Sequence, residues 1–408
     1  MDAYYIGIDW ADAAHAACVV DAAGEVVWTG AIVHTAAGLA AWRERLEGWR
    51  VPGREIAVAI ERPDGLLVEQ MLAQGVPVYP VNPKALDRAR DRFRVSGAKS
   101  DPFDAEVLAQ WLRTDHAQWV PLQPQSAPAQ ELRLLTEDHQ RLVRERTRLV
   151  NQVTATLKAY YPRALELWPD LTTASARGFL RAYPTPDALT AGTRAQWERF
   201  TRRQRMASRT RSELWARLRV PQIPVPPHLV RAKASLLGAL LDQLDAVIRH
   251  LADYQRRIED FFGSLPAAAW ARTLPASQSG TTVATLWAQM GDAPGRWASW
   301  HHLQAHAGTV PITRTSGQQH SVRFRRACDH LFRAAMDRYA FLSIRQSEWA
   351  RAYYRQQRAR GHRHHRALRA LAAKWLKILF VLWQRQEGYD ETRHLAMIAR
   401  QHLRAAAA

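Results

Sequence analysis

Two aspartates, Asp101 and Asp104, stand three residues apart in the stretch Lys99 to Leu112, KSDPFDAEVLAQWL. On a helix that spacing turns the side chain by about 300°, so both carboxylates point to one face and could share a divalent cation. Two further acids lie upstream: Asp9 ends the apolar run Tyr4-Tyr5-Ile6-Gly7-Ile8, and Glu61 ends Ile56-Ala57-Val58-Ala59-Ile60. Four carboxylates brought together repel one another unless cations neutralise them, and hard oxygen donors suit Mg²⁺ or Mn²⁺, which keep waters and bind phosphate at the same time. One such ion can activate an attacking oxygen while a second stabilises a leaving one, so the set reads as a metal-dependent phosphodiester site with Asp9, Glu61, Asp101 and Asp104 as ligands. Taken singly, each acid also reads as solvated surface. Asp9 and Glu61 resist that reading because each closes an apolar strand.

The elements that must position these acids follow in chain order. Residues 4 to 9, Ala16 to Val20 and Val26 to Ile32 read as an antiparallel meander turned at Asp21-Ala22-Ala23-Gly24. Gly38 to Trp49 is helical by its Leu39, Trp42 and Leu46, and Pro52-Gly53 stops it. Glu55 to Ile60 is a nearly continuous apolar strand, of the kind buried on both faces of a sheet. A helix from Gly65 to Gln74, a strand from Val76 to Val81 and a helix from Lys84, broken near Ser96-Gly97, complete the run. Three strands, helix, strand, helix, strand, helix, with acids at the ends of the first and fourth strands, looks like an RNase-H-like nuclease core.

A closer resemblance is carried by Gly7-Ile8-Asp9-Trp10, Ala59-Ile60-Glu61-Arg62-Pro63-Asp64-Gly65, Val81-Asn82-Pro83 and Lys99-Ser100-Asp101-Pro102-Phe103-Asp104-Ala105. In order and spacing these resemble the N-terminal motifs of the DEDD transposases of insertion sequences, relatives of the RuvC resolvase and of the Piv/MooV invertases. The resemblance implies an α/β, RNase-H-like (RuvC-like) catalytic domain over residues 1–125.

The rest of the chain is basic and helical. Its 408 residues exceed one ordinary core, and a formal charge of +19, from 57 Lys and Arg against 38 Asp and Glu, favours a polyanion such as nucleic acid. A membrane partner is disfavoured, because the most apolar run, Trp375 to Trp383, is short and broken by Lys377, and no signal-peptide pattern is present. Two distant cysteines, Cys18 and Cys328, fit a reducing cytosol, Cys18 as a small buried hydrophobe on a strand. After the linker Pro121 to Pro128, long amphipathic helices are predicted over Glu131 to Leu167 and His228 to Phe262, flanking a basic helical patch from Arg194 to Arg219. This middle region, 126–264, reads either as a hairpin that spaces two domains or as a coiled-coil dimerisation arm.

Residues 265–408 resemble the family's mainly α-helical C-terminal transposase domain. Leu274 to Asp292 matches its opening turn and helix, with Ala276, Ser277, Gln278 and Ser279 where glycines are usual; such a turn normally holds a phosphate on its amides. Val310 to Gly317, followed by Arg323, Arg325 and Arg326 and a helix to about Ala340, matches the second stretch. On that match Ser316 is the nucleophile, with Ser279 in a similar Ser-Gly context, and Lys99, Arg314, Arg323, Arg325 and Arg326 contact nucleic acid. Local sequence alone makes Ser316-Gly317 a turn, and no base partner for the hydroxyl is evident. Gly361 to Arg366, GHRHHR, reads as a phosphate-contacting segment, and most of the 16 tryptophans as core.

The resemblance implies a bacterial, cytoplasmic, nucleoid-associated recombinase acting as a dimer or tetramer. It would cut and rejoin donor and target DNA through a covalent phosphoserine, with sites chosen by a structured non-coding guide (bridge) RNA. Two alternatives stand beside it: a junction-resolving nuclease in which the same acids activate water, and a catalytically inactive nucleic-acid-binding protein.

Overall fold

Met1–Gln125 and Ser126–Ala408 fold as two compact units, each with most of its contacts within itself. The computed structural model describes residues 2–93, 100–218, 220, 223–278, 280–293, 295–317 and 319–406. Lys99, Ser279 and the expected break near Ser96-Gly97 therefore lie outside the described residues.

The first unit is a mixed α/β sheet. Its elements are β1 (Asp2–Asp9), β2 (Ala14–Val20), β3 (Val26–Val33), α1 (Ala36–Trp49), β4 (Arg54–Ile60), α2 (Leu66–Ala73), β5 (Val78–Pro80), α3 (Pro83–Phe93) and α4 (Asp101–Asp115). The strand order is β3-β2-β1-β4-β5. β1–β2 and β2–β3 pair antiparallel, and β1–β4 and β4–β5 pair parallel. Alternation then assigns the faces. Ile6, Ile8, Val58 and Ile60 pack with Leu39, Trp42 and Leu46 of α1 and with α2, while Ala57 and Ala59 pack with Leu86 of α3 and Phe103, Val107 and Leu108 of α4. Cys18 lies among Val20, Ala105 and Ala109, and burial pushes its thiol up to about 12.

Gly7 is the point on which α4 seats. A Cβ there would stand 2.5 Å from the Ala109 nitrogen and 2.8 Å from the Leu108 Cβ, and closer still to the Ala105 carbonyl oxygen. Small residues at i and i+4 of α4, Ala105 and Ala109, complete this approach, and both are fully buried.

Among the described residues the second unit is helical apart from one ribbon. It comprises α5 (Ala127–Tyr160), α6 (Arg163–Leu167), α7 (Ala174–Ala182), α8 (Pro186–Ala191), α9 (Arg194–Arg203), α10 (Ser208–Leu218), α11 (Pro227–Ser264), α12 (Ala269–Arg272), α13 (Thr282–Met290), α14 (Trp300–His306), β6 (Ile312–Ser316), β7 (Gln319–Arg323), α15 (His330–Gln346), α16 (Glu348–Ala359), α17 (His364–Arg385) and α18 (Glu391–Ala406). The predicted basic patch is two helices rather than one, parted near Arg205, which takes a left-handed φ of 53°.

α5 and α11, about 51 and 57 Å long at 1.5 Å per residue, lie side by side and share two cores. Leu149, Val153 and Leu157 of α5 meet Leu237, Leu240, Leu241 and Leu244 of α11 in one of them. Ala129 and Leu132 meet Ile258 and Phe262 in the other, with α13, α15 and α17. The apolar stripe that the sequence leaves without a partner is thus largely covered within the chain. Leu134 and Leu236 remain exposed. Among the described residues no helix is long and apolar enough to cross a membrane.

Gly7→Ala should therefore lower stability by at least ~3 kcal/mol, the scale of an overpacked core site that cannot relax. Gly48→Ala, in α1 with open space at its Cβ, should instead raise it by roughly 0.5–1 kcal/mol through helix propensity. Denaturant unfolding of both variants checks the contrast.

Candidate active site

The seat of α4 on β1 decides where the acids meet. Tyr5 touches His116 beyond the C-terminal end of α4, with ring centroids 5.1 Å apart, and Gly7 faces Ala105 to Ala109. The helix consequently runs antiparallel to β1, and its N-terminal turn with Asp101 and Asp104 lies at the strand end occupied by Asp9. Ser100 caps that turn in extended conformation, Pro102 pre-sets its φ, and the two acids complement the helix dipole. Ile8 pairs with Ile60, so Asp9 and Glu61 are the next residues on adjacent parallel strands. By alternation both belong to the sheet face that α3 and α4 cover; each is half-buried.

The four predicted acids do not share one environment. Asp104 is buried, 1% exposed, and takes a two-pronged ion pair from Arg90 of α3: Nε to Oδ1 at 2.5 Å and Nη2 to Oδ2 at 2.8 Å. Arg90 also reaches Asp87 and feels Glu61; its guanidinium pKa is raised, first by the Asp104 hydrogen bond. Asp101, one turn before, is exposed. The two keep the three-residue helical spacing expected of them, but only Asp104 is buried.

Among the described residues no three His, Cys, Asp or Glu side chains are grouped closely enough to hold a metal ion. The donor chemistry suits a hard cation, but in this arrangement Arg90 provides the positive charge at Asp104.

Arg90 was not marked by sequence reasoning. Its signal is its place four residues after Leu86, the buried residue of α3, which turns it toward the same side. A second unmarked feature is a stack beside the acids. The Arg62 guanidinium lies 4.2 Å from the Trp10 ring centroid and pairs with Asp64 at 2.9 Å, so the residues following Asp9 and Glu61 touch. The turn after Asp9 is pinned by fully buried His15, whose Nδ1 accepts from the Ala11 amide at 3.2 Å and whose Nε2 lies 2.9 Å from His34 Nδ1. These partners fix His15 as the neutral Nε2–H tautomer, and burial, then His34, lowers its pKa.

Ser316 lies in the other unit. The sequence did not foresee the β6–β7 ribbon that carries it, though it did read Ser316-Gly317 as a turn. Gly317 has φ 52°, and Ser316 pairs with Gln319, Arg314 with Ser321 and Ile312 with Arg323. Cross-strand partners share a face, so Ser316, Arg314 and Arg323 project from the same side of the ribbon. His320, opposite Thr315, belongs to the other side. Ser316 is exposed, and no described residue hydrogen-bonds its Oγ.

Of the other predicted arginines, Arg326 is exposed, while Arg325 is turned inward with a buried Nε that has no partner among the described residues. The turn at Ala276 is also not open to phosphate through that amide, which donates to Gln346 Oε1. Ala276, in a position where glycine is usual, holds φ 63° while buried.

Comparison with known proteins bears on both units. Residues 6–162 match a DEDD family model of the IS110 type described as Transposase, and residues 272–355 match one described as Transposase IS116/IS110/IS902 family. Over 403 residues the chain is 33% identical to the "Mini-circle putative transposase for IS117" of Streptomyces coelicolor, covering 96% of each. It is 27% identical to the insertion element IS116 protein of Streptomyces clavuligerus over 93% of this chain and 94% of that one. It is 39% identical to the "Putative transposase y4uE" of Sinorhizobium fredii over 45% and 52%.

Two outcomes are expected. Arg90→Met leaves a buried carboxylate without its partner and should cost about 3–5 kcal/mol; added Mn²⁺ should raise the melting temperature of this variant more than that of the parent. For His15, the unfolded state binds the proton more tightly, so its contribution to stability is present above the ordinary histidine value of about 6.5 and is lost as pH falls below it. His139, His306 and His394 shift the same way. His15→Gln should therefore flatten, without abolishing, the fall in melting temperature between about pH 6.5 and 5.

Proposed function

The chain belongs to the IS116/IS110/IS902 family of transposases, and from that premise we propose that it is an insertion-sequence recombinase that cuts and rejoins DNA through Ser316. The first unit is read as an RNase-H-like (RuvC-like) domain; its strand order, with Asp9 and Glu61 closing adjacent parallel strands, supports that reading. The observation that carries the serine chemistry is the exposed hydroxyl at the tip of a paired ribbon with Arg314 and Arg323 on its own face.

In the proposed step Ser316 Oγ attacks a phosphorus atom of the DNA backbone. The Oγ–P bond forms, a P–O bond to deoxyribose breaks, and the hydroxyl proton ends on the departing sugar oxygen. A free sugar hydroxyl of another strand then attacks the phosphoserine, restoring the serine and joining the strands. The two guanidinium groups bear the negative charge that accumulates on the phosphoryl oxygens.

Mg²⁺ or Mn²⁺ is the proposed cofactor: Asp9, Glu61, Asp101 and Asp104 would hold it, and it would supply positive charge for the phosphodiester chemistry. A homo-oligomer and a structured guide RNA complete the proposal, the RNA choosing donor and target by pairing while the protein holds backbone. The net charge of +19 supports polyanion partners of this kind.

One observation favours the hydrolytic alternative: no described residue hydrogen-bonds Ser316 Oγ, so no base is seen engaged with it. Trapping separates the two readings. Denaturing electrophoresis of a cleavage reaction with end-labelled DNA should show strand attached to the parent protein and none attached to Ser316→Ala, which should keep DNA affinity within about twofold, since a hydroxyl contributes little to a phosphate-dominated interface. Cleavage by the parent with no attached strand assigns the chemistry to water.

A further inference from the structure

The second unit contains a cleft of about 630 Å³ between α14, the end of β7, α16 and α17. Among the described residues five cations line it, Arg323, Arg366, Arg369, Lys374 and Lys377, and no acid does. Asp337, which faces Arg333 and Arg369 from α15, is not part of the lining. Four of the cations follow from the sequence of one helix. α17 buries Leu368, Leu371, Trp375, Leu376 and Leu379, and its opposite stripe reads Arg366, Arg369, Lys374, Lys377. That stripe extends about 16 Å at 1.5 Å per residue. Between the cations, Ala370 and Ala373 leave the helix surface low enough for a ligand to approach it.

Three rings share the cleft: Trp300, Phe324 and Tyr353. The cations rest on them. Lys377 lies 4.9 Å from the Trp300 centroid, Arg369 5.0 Å from Phe324, and Lys374 5.9 Å from Tyr353. A cation held over a ring is a weak arrangement at an exposed site, worth about 0.5–1 kcal/mol. An arriving phosphate draws the cation away and uncovers the ring. A cleft of about 630 Å³ has room for more than a phosphate, and aromatic surface within it has no use for a paired, stacked base.

Resting on the proposed recombinase reading, we infer that this cleft holds an unpaired polynucleotide strand, phosphates along the α17 stripe and a base on Trp300 or Tyr353, and leads that strand to Ser316. The path is set by Arg323. It lines the cleft and also projects from the Ser316 face of the ribbon, whose β7 strand extends about 13 Å from Gln319 to Arg323 at 3.3 Å per residue.

The test is fluorescence anisotropy on the full chain carrying Ser316→Ala, so that no covalent chemistry is read. The probes are an oligothymidylate and an oligouridylate of about twelve nucleotides, within the span of single-strand sites, and a duplex of equal length. Lys374→Gln with Lys377→Gln, both exposed positions, should lower the salt dependence of single-strand binding by roughly 1.4 in log–log slope, two contacts at about 0.7 each. Trp300→Leu should weaken single-strand binding roughly tenfold with the slope unchanged, the size of one lost stack. Trp300→Phe should restore it, and Tyr353→Leu provides a second ring variant should Trp300→Leu unfold, as circular dichroism would reveal. Duplex affinity should move by less than about twofold in the ring variants. Losses in the ring variants confined to the single strands uphold the inference. Equal losses for strand and duplex, or no effect of either ring variant, overturn it. Because no adduct is measured, this outcome is independent of whether Ser316 proves to be the nucleophile.

Discussion

The close approach of α4 to β1 at Gly7 is the constraint on which the acid site depends. A hydrogen in place of a side chain allows the Ala105–Ala109 backbone to settle directly on the strand. That depth carries Asp104 below the surface at the strand end where Asp9 and Glu61 emerge. A helix one methyl group further out would leave Asp104 solvated, and the Arg90 pair would become a surface ion pair of little consequence. Buried as it is, the carboxylate cannot be left without a cation. Helix packing thus dictates the electrostatics of the site, and Arg90 is the charge that the packing demands.

Charge is distributed unevenly between the two kinds of site. At the acids, opposite charges are matched within the fold, Arg90 against Asp104 and Arg62 against Asp64. In the α17 cleft, five cations are gathered without a lining acid. Such a cluster raises the energy of the folded chain through mutual repulsion, and an anion relieves it. Asp104 has a counter-charge within the fold, whereas the described lining of the cleft holds cations without an acid.

Much of the first unit was legible because its signals are local. Apolar strands ended by an acid, Ile8-Asp9 and Ile60-Glu61, give both the strand and the residue that leaves it. The long helices α5 and α11 followed from their leucine spacing, but what covers each stripe did not, since two amphipathic faces pair equally well within a chain or between copies. Arg90 was hidden because an arginine near the end of a basic helix ordinarily faces water, and only the position of α3 over α4 turns it inward. The difference in burial between Asp101 and Asp104 was hidden because helical spacing alone does not say which of two neighbouring positions a second helix covers. The ribbon around Ser316 has too few apolar residues to announce itself, because Thr313, Arg314, Thr315 and His320 are all exposed.

That exposure is itself informative about the serine. A nucleophile activated by a resident base is ordinarily held in a pocket, where the base can be oriented and water excluded. Ser316 has instead a rigid backbone, fixed by cross-strand pairing, a glycine that turns the chain immediately after it, and two guanidinium groups on its face. Those are the means to position a hydroxyl and to receive charge, without a means to remove a proton. In the proposed chemistry the proton therefore travels with the substrate, to the sugar oxygen that departs, and the protein's part is to hold phosphorus in line with Oγ. In that proposal the site becomes competent when a strand is fixed along the ribbon. The demand for accuracy then falls on whatever grips the strand nearby, and Arg323, shared between the ribbon face and the α17 cleft, is the residue through which the proposed grip would reach the serine.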